Sequence, residues 1–150
     1  MTHAAATLPA SPSFVVRAAR WDADGEKLRH VRRAVFIDEQ RVPEELEWDA
    51  DDPVCEHVLV EDRDGNAIAT GRLLADGHLG RIAVLQPWRG RGVGAAVFEH
   101  LVRIAELRGH RLLRLNAQTS AIGFYQRYGF VVCGEEFVEA GLRHRAMRRP

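Results

Sequence analysis

Residues 79–94 read Leu79-Gly80-Arg81-Ile82-Ala83-Val84-Leu85-Gln86-Pro87-Trp88-Arg89-Gly90-Arg91-Gly92-Val93-Gly94. The apolar run at the start predicts a strand over 79–85. Glycines at 90, 92 and 94 then let the backbone take positive φ and approach a ligand with no Cβ in the way. A helix begins at once: Val93, Val97, Leu101, Ile104 and Ala105 recur at helical steps, and Gly109 ends the run. The first N–H groups of a helix lack intrahelical acceptors and lie at the positive end of its dipole, so this turn forms an anion site. Arg89 and Arg91 add guanidinium donors suited to phosphate. The segment reads as a diphosphate cradle, against the plainer alternative of a tight turn whose glycines serve packing alone.

Two other phosphate loops fit less well. A Walker loop ends in Gly-Lys-Ser/Thr, which is missing at this turn. The dinucleotide pattern is met formally by Gly90, Gly92 and Ala95, but it belongs to the first strand-to-helix turn of a parallel fold. Three antiparallel-looking strands precede this turn, and the next strand ends in Asn116 rather than an acid. A nicotinamide-binding oxidoreductase is therefore the weaker reading.

Outward from the turn, residues 14–19 form a first strand, and Asp22 or Asp24 caps a helix with Leu28, Val31, Val35 and Phe36 on its apolar face. An acid-rich block containing Pro43 and Pro53 follows, read as loop or short broken helix. Strands at 57–61 and 67–75 are joined by a hairpin turn at Asp62–Asn66. After the central helix come a strand at 112–115, a short helix at 120–128 stopped by Gly129, and strands at 130–133 and 143–148. The order is α/β (α+β), one mixed sheet with helices on its faces.

The chain has 150 residues, 46% of them hydrophobic, with 21 basic and 21 acidic side chains. That suits one globular domain over residues 14–150 and excludes collagen, a disordered tail and a cysteine-rich secreted module. Residues 1–13, rich in Ala, Pro, Thr and Ser, read as a disordered leader and not a signal peptide. No apolar run reaches the roughly 20 residues of a membrane span. Cys55 and Cys133 lie far apart, read as two small buried thiols in a reducing cytoplasm, with no metal site. Neutrality argues against a nucleic-acid coat. It also hides a segregation: residues 38–62 hold eleven acids against Arg41 alone, a net of −10, whereas residues 79–150 carry a net of +7.

The spacing Arg89-x-x-Gly92-x-Gly94 at a strand-to-helix junction resembles the acyl-CoA pyrophosphate loop of the GNAT superfamily of N-acyltransferases. Downstream, Asn116-Ala117-Gln118, Ala121, Phe124-Tyr125 and Tyr128-Gly129-Phe130 are similar to its later strand and helix. Val35-Phe36, Glu39-Gln40, Val42-Pro43, Glu47, Asp49, His57, Glu139-x-Gly141, His144 and Met147 resemble its small bacterial YjcF/ElaA-like branch. Together the likeness spans about residues 14–150.

The resemblance implies a mostly antiparallel sheet whose two central strands splay apart, with the thioester of acetyl-CoA in the gap. Backbone groups of Ile82, Ala83 and Val84 would pair with pantetheine, and the Val84 N–H would serve an oxyanion. Arg89, Gly90, Arg91, Gly92, Val93 and Gly94 would hold the diphosphate, and Asn116 would bond the pantetheine. Tyr125 would touch the cofactor and protonate the departing thiolate. Tyr128 and Phe130 are read as packing residues.

An amine at neutral pH is mostly ammonium, so the site must attract a cation and remove its proton. Glu39 and Glu47 are the catalytic carboxylate candidates. Glu39, Gln40, Glu47, Asp49, His57 and His144 are candidates for the acceptor wall, and either histidine is a candidate base. The acceptor is read as a small-molecule or peptide amine, with no nucleic acid or membrane partner. A homodimer is left open because nothing in the sequence fixes an interface. A non-catalytic CoA-binding sensor or interaction module on the same fold is the alternative; it would need the cradle but neither Tyr125 nor the carboxylates.

Overall fold

The computed structural model describes residues 13–150. The leader expected over 1–13 therefore lies outside the described residues, apart from Ser13. In chain order the elements are β1 (Phe14–Ala19), α1 (Trp21–Arg32), a π-helical turn (Arg33–Glu39), α2 (Glu44–Glu47), β2 (Glu56–Asp62), β3 (Ala67–Leu73) and β4 (Leu79–Val84). After a 3-10 turn at Gln86–Trp88 come α3 (Val93–Leu107), β5 (Leu113–Gln118), a 3-10 turn at Thr119–Ala121, α4 (Ile122–Gln126), β6 (Val131–Val132), β7 (Phe137–Glu139) and β8 (Leu142–Arg149).

The strands form two antiparallel sheets, β1-β2-β3-β4 and β5-β8-β6, with β7 also on β8. The continuous mixed sheet expected from the element order is thus divided between β4 and β5. Those two strands run parallel and share one bridge, His78 to Arg114, at the base. The division has a local cause. Thr70 pairs with Ala83 and Arg72 with Gly80, so Arg81 and Ile82 together oppose Gly71. Arg81 takes φ 50°, the left-handed residue of a bulge that bends β4 away from β5. The splayed central strands that the resemblance implies are those of this sheet.

Each face of the first sheet is covered by one helix. Val58, Val60, Ile68 and Leu73 pack against Val97, Phe98, Leu101 and Ala105 of α3, whose buried positions recur at helical spacing. Leu59, Ala67 and Ala83 pack against Leu28, Val31 and Val35 on the other side. Gly71 is required by the α3 contact: a Cβ there would lie 2.7 Å from Val97 Cγ1 and 2.9 Å from Leu101 Cδ1. The start of α1 differs from expectation. Its cap residue is Arg20, whose side chain caps nothing; Asp24 instead reaches back to accept the Arg20 N–H at 2.9 Å.

α1 does not stop where the acidic block begins. It widens into the π turn, with Gln40 N–H bonding Val35 C=O five residues back. The wider turn brings Val35, Phe36, Glu39 and Gln40 onto one wall of the gap between the sheets. β7 was not expected. It pairs with β8 through the tight turn Glu139-Ala140-Gly141-Leu142, where Ala140 has φ 53° and Gly141 φ 81°. An alanine in that turn hides the usual Asn-Gly or Asp-Gly signal.

Candidate active site

The gap between β4 and β5 is a cavity of about 890 Å³. β4 supplies Ile82, Ala83 and Val84, β5 supplies Leu115, Asn116 and Gln118, and the π turn closes one side. Leu85 N–H bonds Ile68 C=O on β3. Backbone groups alternate along a strand, so those of Val84 point the other way, into the cavity. The Val84 carbonyl does so visibly, accepting Arg89 Nε at 2.9 Å. Among the described residues β5 takes up no backbone group along 80–84, and a strand edge left open beside a cavity suits an extended amide ligand.

Below that edge lies the glycine turn. Gly90 has φ 76° and Gly92 φ 80°, and a Cβ at either would meet nothing within 4 Å. The expectation of positive φ at three glycines is corrected at Gly94, which is helical; a Cβ there would touch only Val84 Cγ2, at 3.6 Å. Gly92 is the N-cap, and the first α3 backbone bond is Ala96 N–H to Gly92 C=O. The N–H groups of Val93, Gly94 and Ala95 are thereby left for an anion. The Val93 side chain is in the core. Arg91 stacks over Trp88, 4.8 Å from the ring centroid, and Arg89 is bound to Glu39 by bonds of 3.0 and 2.7 Å. A basic turn with open space above its glycines, next to a free strand edge, fits a CoA diphosphate with pantetheine above it.

Tyr125 lines the cavity from α4, wedged among Phe98, Phe124 and Phe130. Burial pushes its phenol pKa up, so the group stays protonated and able to donate. Asn116 lines the same space from the exposed face of β5. Tyr128 does not touch the cavity and donates to Glu99 at 2.7 Å.

The acceptor-wall candidates divide sharply. Glu39, Gln40, Glu47 and His144 line the cavity; Asp49 and His57 do not. Asp49 is held by Arg72 through two bonds of 2.8 Å, which bring its carboxyl down to about pH 2. His57 is 1% exposed, stacks on Trp21 and bonds the Asp52 carbonyl at 2.8 Å; burial pushes its pKa down. Both are corrected to structural roles. Glu47 is corrected as a base as well. It is 2% exposed, accepts Arg32 Nε at 2.7 Å and lies 3.3 Å from Arg81 Nε. Both contacts fall on Oε2 of a buried carboxylate, so Glu47 reads as the buried counter-charge of Arg32.

The segregation of charge along the chain is not one in space. Of the eleven acids at 38–62, Glu39, Glu44, Glu47, Asp49, Asp52, Glu56 and Glu61 are ion-paired. At the centre Asp52 Oδ1 accepts Arg32 at 2.6 Å and Arg72 at 2.8 Å. Burial raises the Asp52 carboxyl, but the Arg32 bond, the Asp49 N–H and Arg72 outweigh it and leave it lowered. Asp52, Cys55 and His57 lie close enough for a metal, yet Asp52 is already neutralised by two arginines, so the cluster reads as framework. Cys55 is half-buried, its thiol pushed up to about 11 by burial. Cys133 is exposed, against the expectation of burial.

Site residues that sequence reasoning passed over are Phe36, Arg81 and Gln118. Gln118 donates to Gln40 at 3.4 Å across the gap. Arg81 gave no signal because a left-handed arginine cannot be foreseen from its residue type.

Splayed strands, an open β4 edge and a basic glycine turn define an acyl-CoA-dependent transferase. The family model described as the acetyltransferase (GNAT) domain matches residues 21–149. The chain is 39% identical over 124 residues to YjcF, an uncharacterised N-acetyltransferase of Bacillus subtilis, covering 80% of this chain and 88% of that one. An acyl-CoA N-acyltransferase from Pseudomonas aeruginosa superposes with a TM-score of 0.84 at 30% identity, over 92% of this chain and all of that one. ElaA of Escherichia coli gives 0.82 at 25% identity, over 91% and 99%. The chain belongs to the GNAT family and is an N-acetyltransferase.

Proposed function

We propose that the protein transfers an acetyl group from acetyl-CoA to a primary amine by direct attack within a ternary complex. The observation that carries this is the open β4 edge at Ile82–Val84, which shares one cavity with Arg89 and Tyr125 and leads on into the Gly90–Gly94 turn. Pantetheine amides would complete that edge, Asn116 would hold them from β5, and the Val84 N–H would face the thioester oxygen. Arg89, Arg91 and the N–H groups at the start of α3 would bind the diphosphate. Tyr125 would give its proton to the sulfur. Gln40 and Glu39 would wall the acceptor side from the π turn.

No cysteine lines the cavity, so a ternary complex is favoured over a covalent acyl-enzyme. The two free cysteines suit a reducing cytoplasm. Among the described residues no helix is long and apolar enough to cross a membrane. The test is thiol release from acetyl-CoA across a panel of small amines, polyamines and peptides. Amine-dependent release is the expected result. CoA binding without turnover on any amine would leave only a CoA-binding module.

A further inference from the structure

We infer that His144 is the residue that takes the proton from the attacking amine. This rests on the acyl-transfer reading above and assigns the one role that reading leaves vacant. Deprotonation needs a group on the cavity with a lone pair to give. Glu47 is buried against Arg32 with Arg81 beside the same oxygen, and His57 is buried away from the cavity. Glu39 is held by Arg89 until a diphosphate recruits that arginine, and among the described residues no other contact orients its carboxylate. His144 lines the cavity from β8. Its Nδ1 lies 2.8 Å from the Leu142 carbonyl, which can only accept. Nδ1 therefore carries the hydrogen, and the lone pair of the neutral ring is fixed on Nε2. No described residue takes up Nε2. The Phe137 ring, stacked at 5.7 Å and 21°, holds the imidazole plane.

The surroundings favour a cationic acceptor at this end. Glu139 pairs with Leu142, and Phe137 with His144, so all four side chains share one face of the β7–β8 hairpin. Four carboxylates line the cavity. Glu39 and Glu47 face arginines, and Asp76 bonds His78. Glu139 has no such partner among the described residues and is free to draw an ammonium towards the ring. The other groups facing His144 are Phe137 on β7 and, opposite it on β5, Gln118, both uncharged.

The proton balance closes with these residues. The ammonium gives one proton to Nε2, which passes it to solvent. The freed nitrogen lone pair forms the C–N bond as the C–S bond breaks, its electron pair leaving on sulfur. Tyr125 protonates that thiolate. The second proton shed by nitrogen as the amide forms restores the phenol through solvent.

The test is His144→Asn, whose amide can keep the bond to Leu142 while removing Nε2. CoA titration by calorimetry checks that the variant is folded, and His144→Gln serves if Asn fails. We expect a fall in kcat of about 10²-fold or more, an unchanged Kd for CoA, and loss of the acid limb of the kcat/KM profile. In His144→Ala, added imidazole should restore turnover. Glu139→Gln should raise the KM of the amine and spare that of acetyl-CoA. Wild-type turnover matched by His144→Asn with the same pH profile overturns the role of His144 alone. A wild type that binds CoA and acetylates no amine overturns the acyl-transfer reading along with it.

Discussion

Arg89 of the diphosphate turn grips Glu39 of the π turn with two parallel hydrogen bonds, 3.0 Å from Nη1 and 2.7 Å from Nη2. The same side chain donates Nε to the Val84 carbonyl. The arginine expected to bind phosphate thus spans the cavity and occupies an acceptor that pantetheine would use. A diphosphate recruiting Arg89 must outbid a carboxylate that is 38% exposed. Exposed pairs of this kind are worth about 0.2–1 kcal/mol. Glu39→Gln is therefore expected to tighten CoA binding by roughly 1.4–5-fold, read by calorimetry. Weaker binding by the variant would mean that Glu39 organises the turn rather than competing for it.

Arg89→Ala combined with Arg91→Ala removes both guanidiniums of the turn and leaves the α3 N–H groups in place. The KM for acetyl-CoA should rise far more than that of the acceptor, by roughly 30-fold or more, since each of two charged hydrogen bonds lost costs about 1.5–3 kcal/mol and release of the Glu39 pair offsets only about 0.2–1 kcal/mol. Initial-rate kinetics varying each substrate in turn separates the two effects. A rise confined to the acceptor KM would move the diphosphate elsewhere.

Tyr125→Phe deletes the phenol but keeps the ring that packs on Phe98 and Phe130. The CoA thiol is acidic enough to leave with little help, so kcat should fall by about 10²-fold or less while the Kd for CoA holds. An unchanged kcat would reassign Tyr125 to packing.

The helix face of α3, the strand sequence and the glycine turn were all legible because each depends on local rules: Val97 and Leu101 repeat at helical spacing, and Gly90 and Gly92 must take positive φ. The use of the acids was not legible. Glu47, Asp49 and Asp52 look alike in sequence, and what separates them from Glu139 is the company of Arg32, Arg72 and Arg81, residues 15 or more positions away. Local charge counting cannot see such partners. The π turn and the bulge at Arg81 were hidden for a related reason: both are non-standard backbone states fixed by tertiary packing, and both shape the cavity.

Breaking that buried cluster should unfold more than it rearranges. Asp52→Ala leaves Arg32, which is 1% exposed, with Glu47 alone and Arg72 with Asp49 alone, so Arg32, Arg72 and Arg81 then face only two carboxylates. Removing one member of a buried ion pair costs about 3–5 kcal/mol. Urea unfolding should register that loss, and a double variant Asp52→Ala with Arg32→Met should recover part of it. A loss below about 1 kcal/mol would mean that water reaches the cluster.

Acid sensitivity follows from residues in and beside the same cluster. His57 is buried with its pKa pushed down, so the unfolded chain binds a proton there at a higher pH than the folded one does. Stability then falls as pH drops below about 6.5, the ordinary imidazole value, and levels off once the folded state also protonates. Asp49 is depressed to about 2, chiefly by its bonds to Arg72. Its contribution is intact above the ordinary aspartate value near 3.9 and is lost progressively as pH falls towards 2. Urea midpoints should therefore decline in two stages, the first below about pH 6.5 and the second below about pH 4. His57→Gln should flatten the first stage, and Arg72→Met should weaken the second, since the unpartnered carboxyl then titrates nearer its unfolded value. A first stage that survives in His57→Gln would point to another histidine as its source.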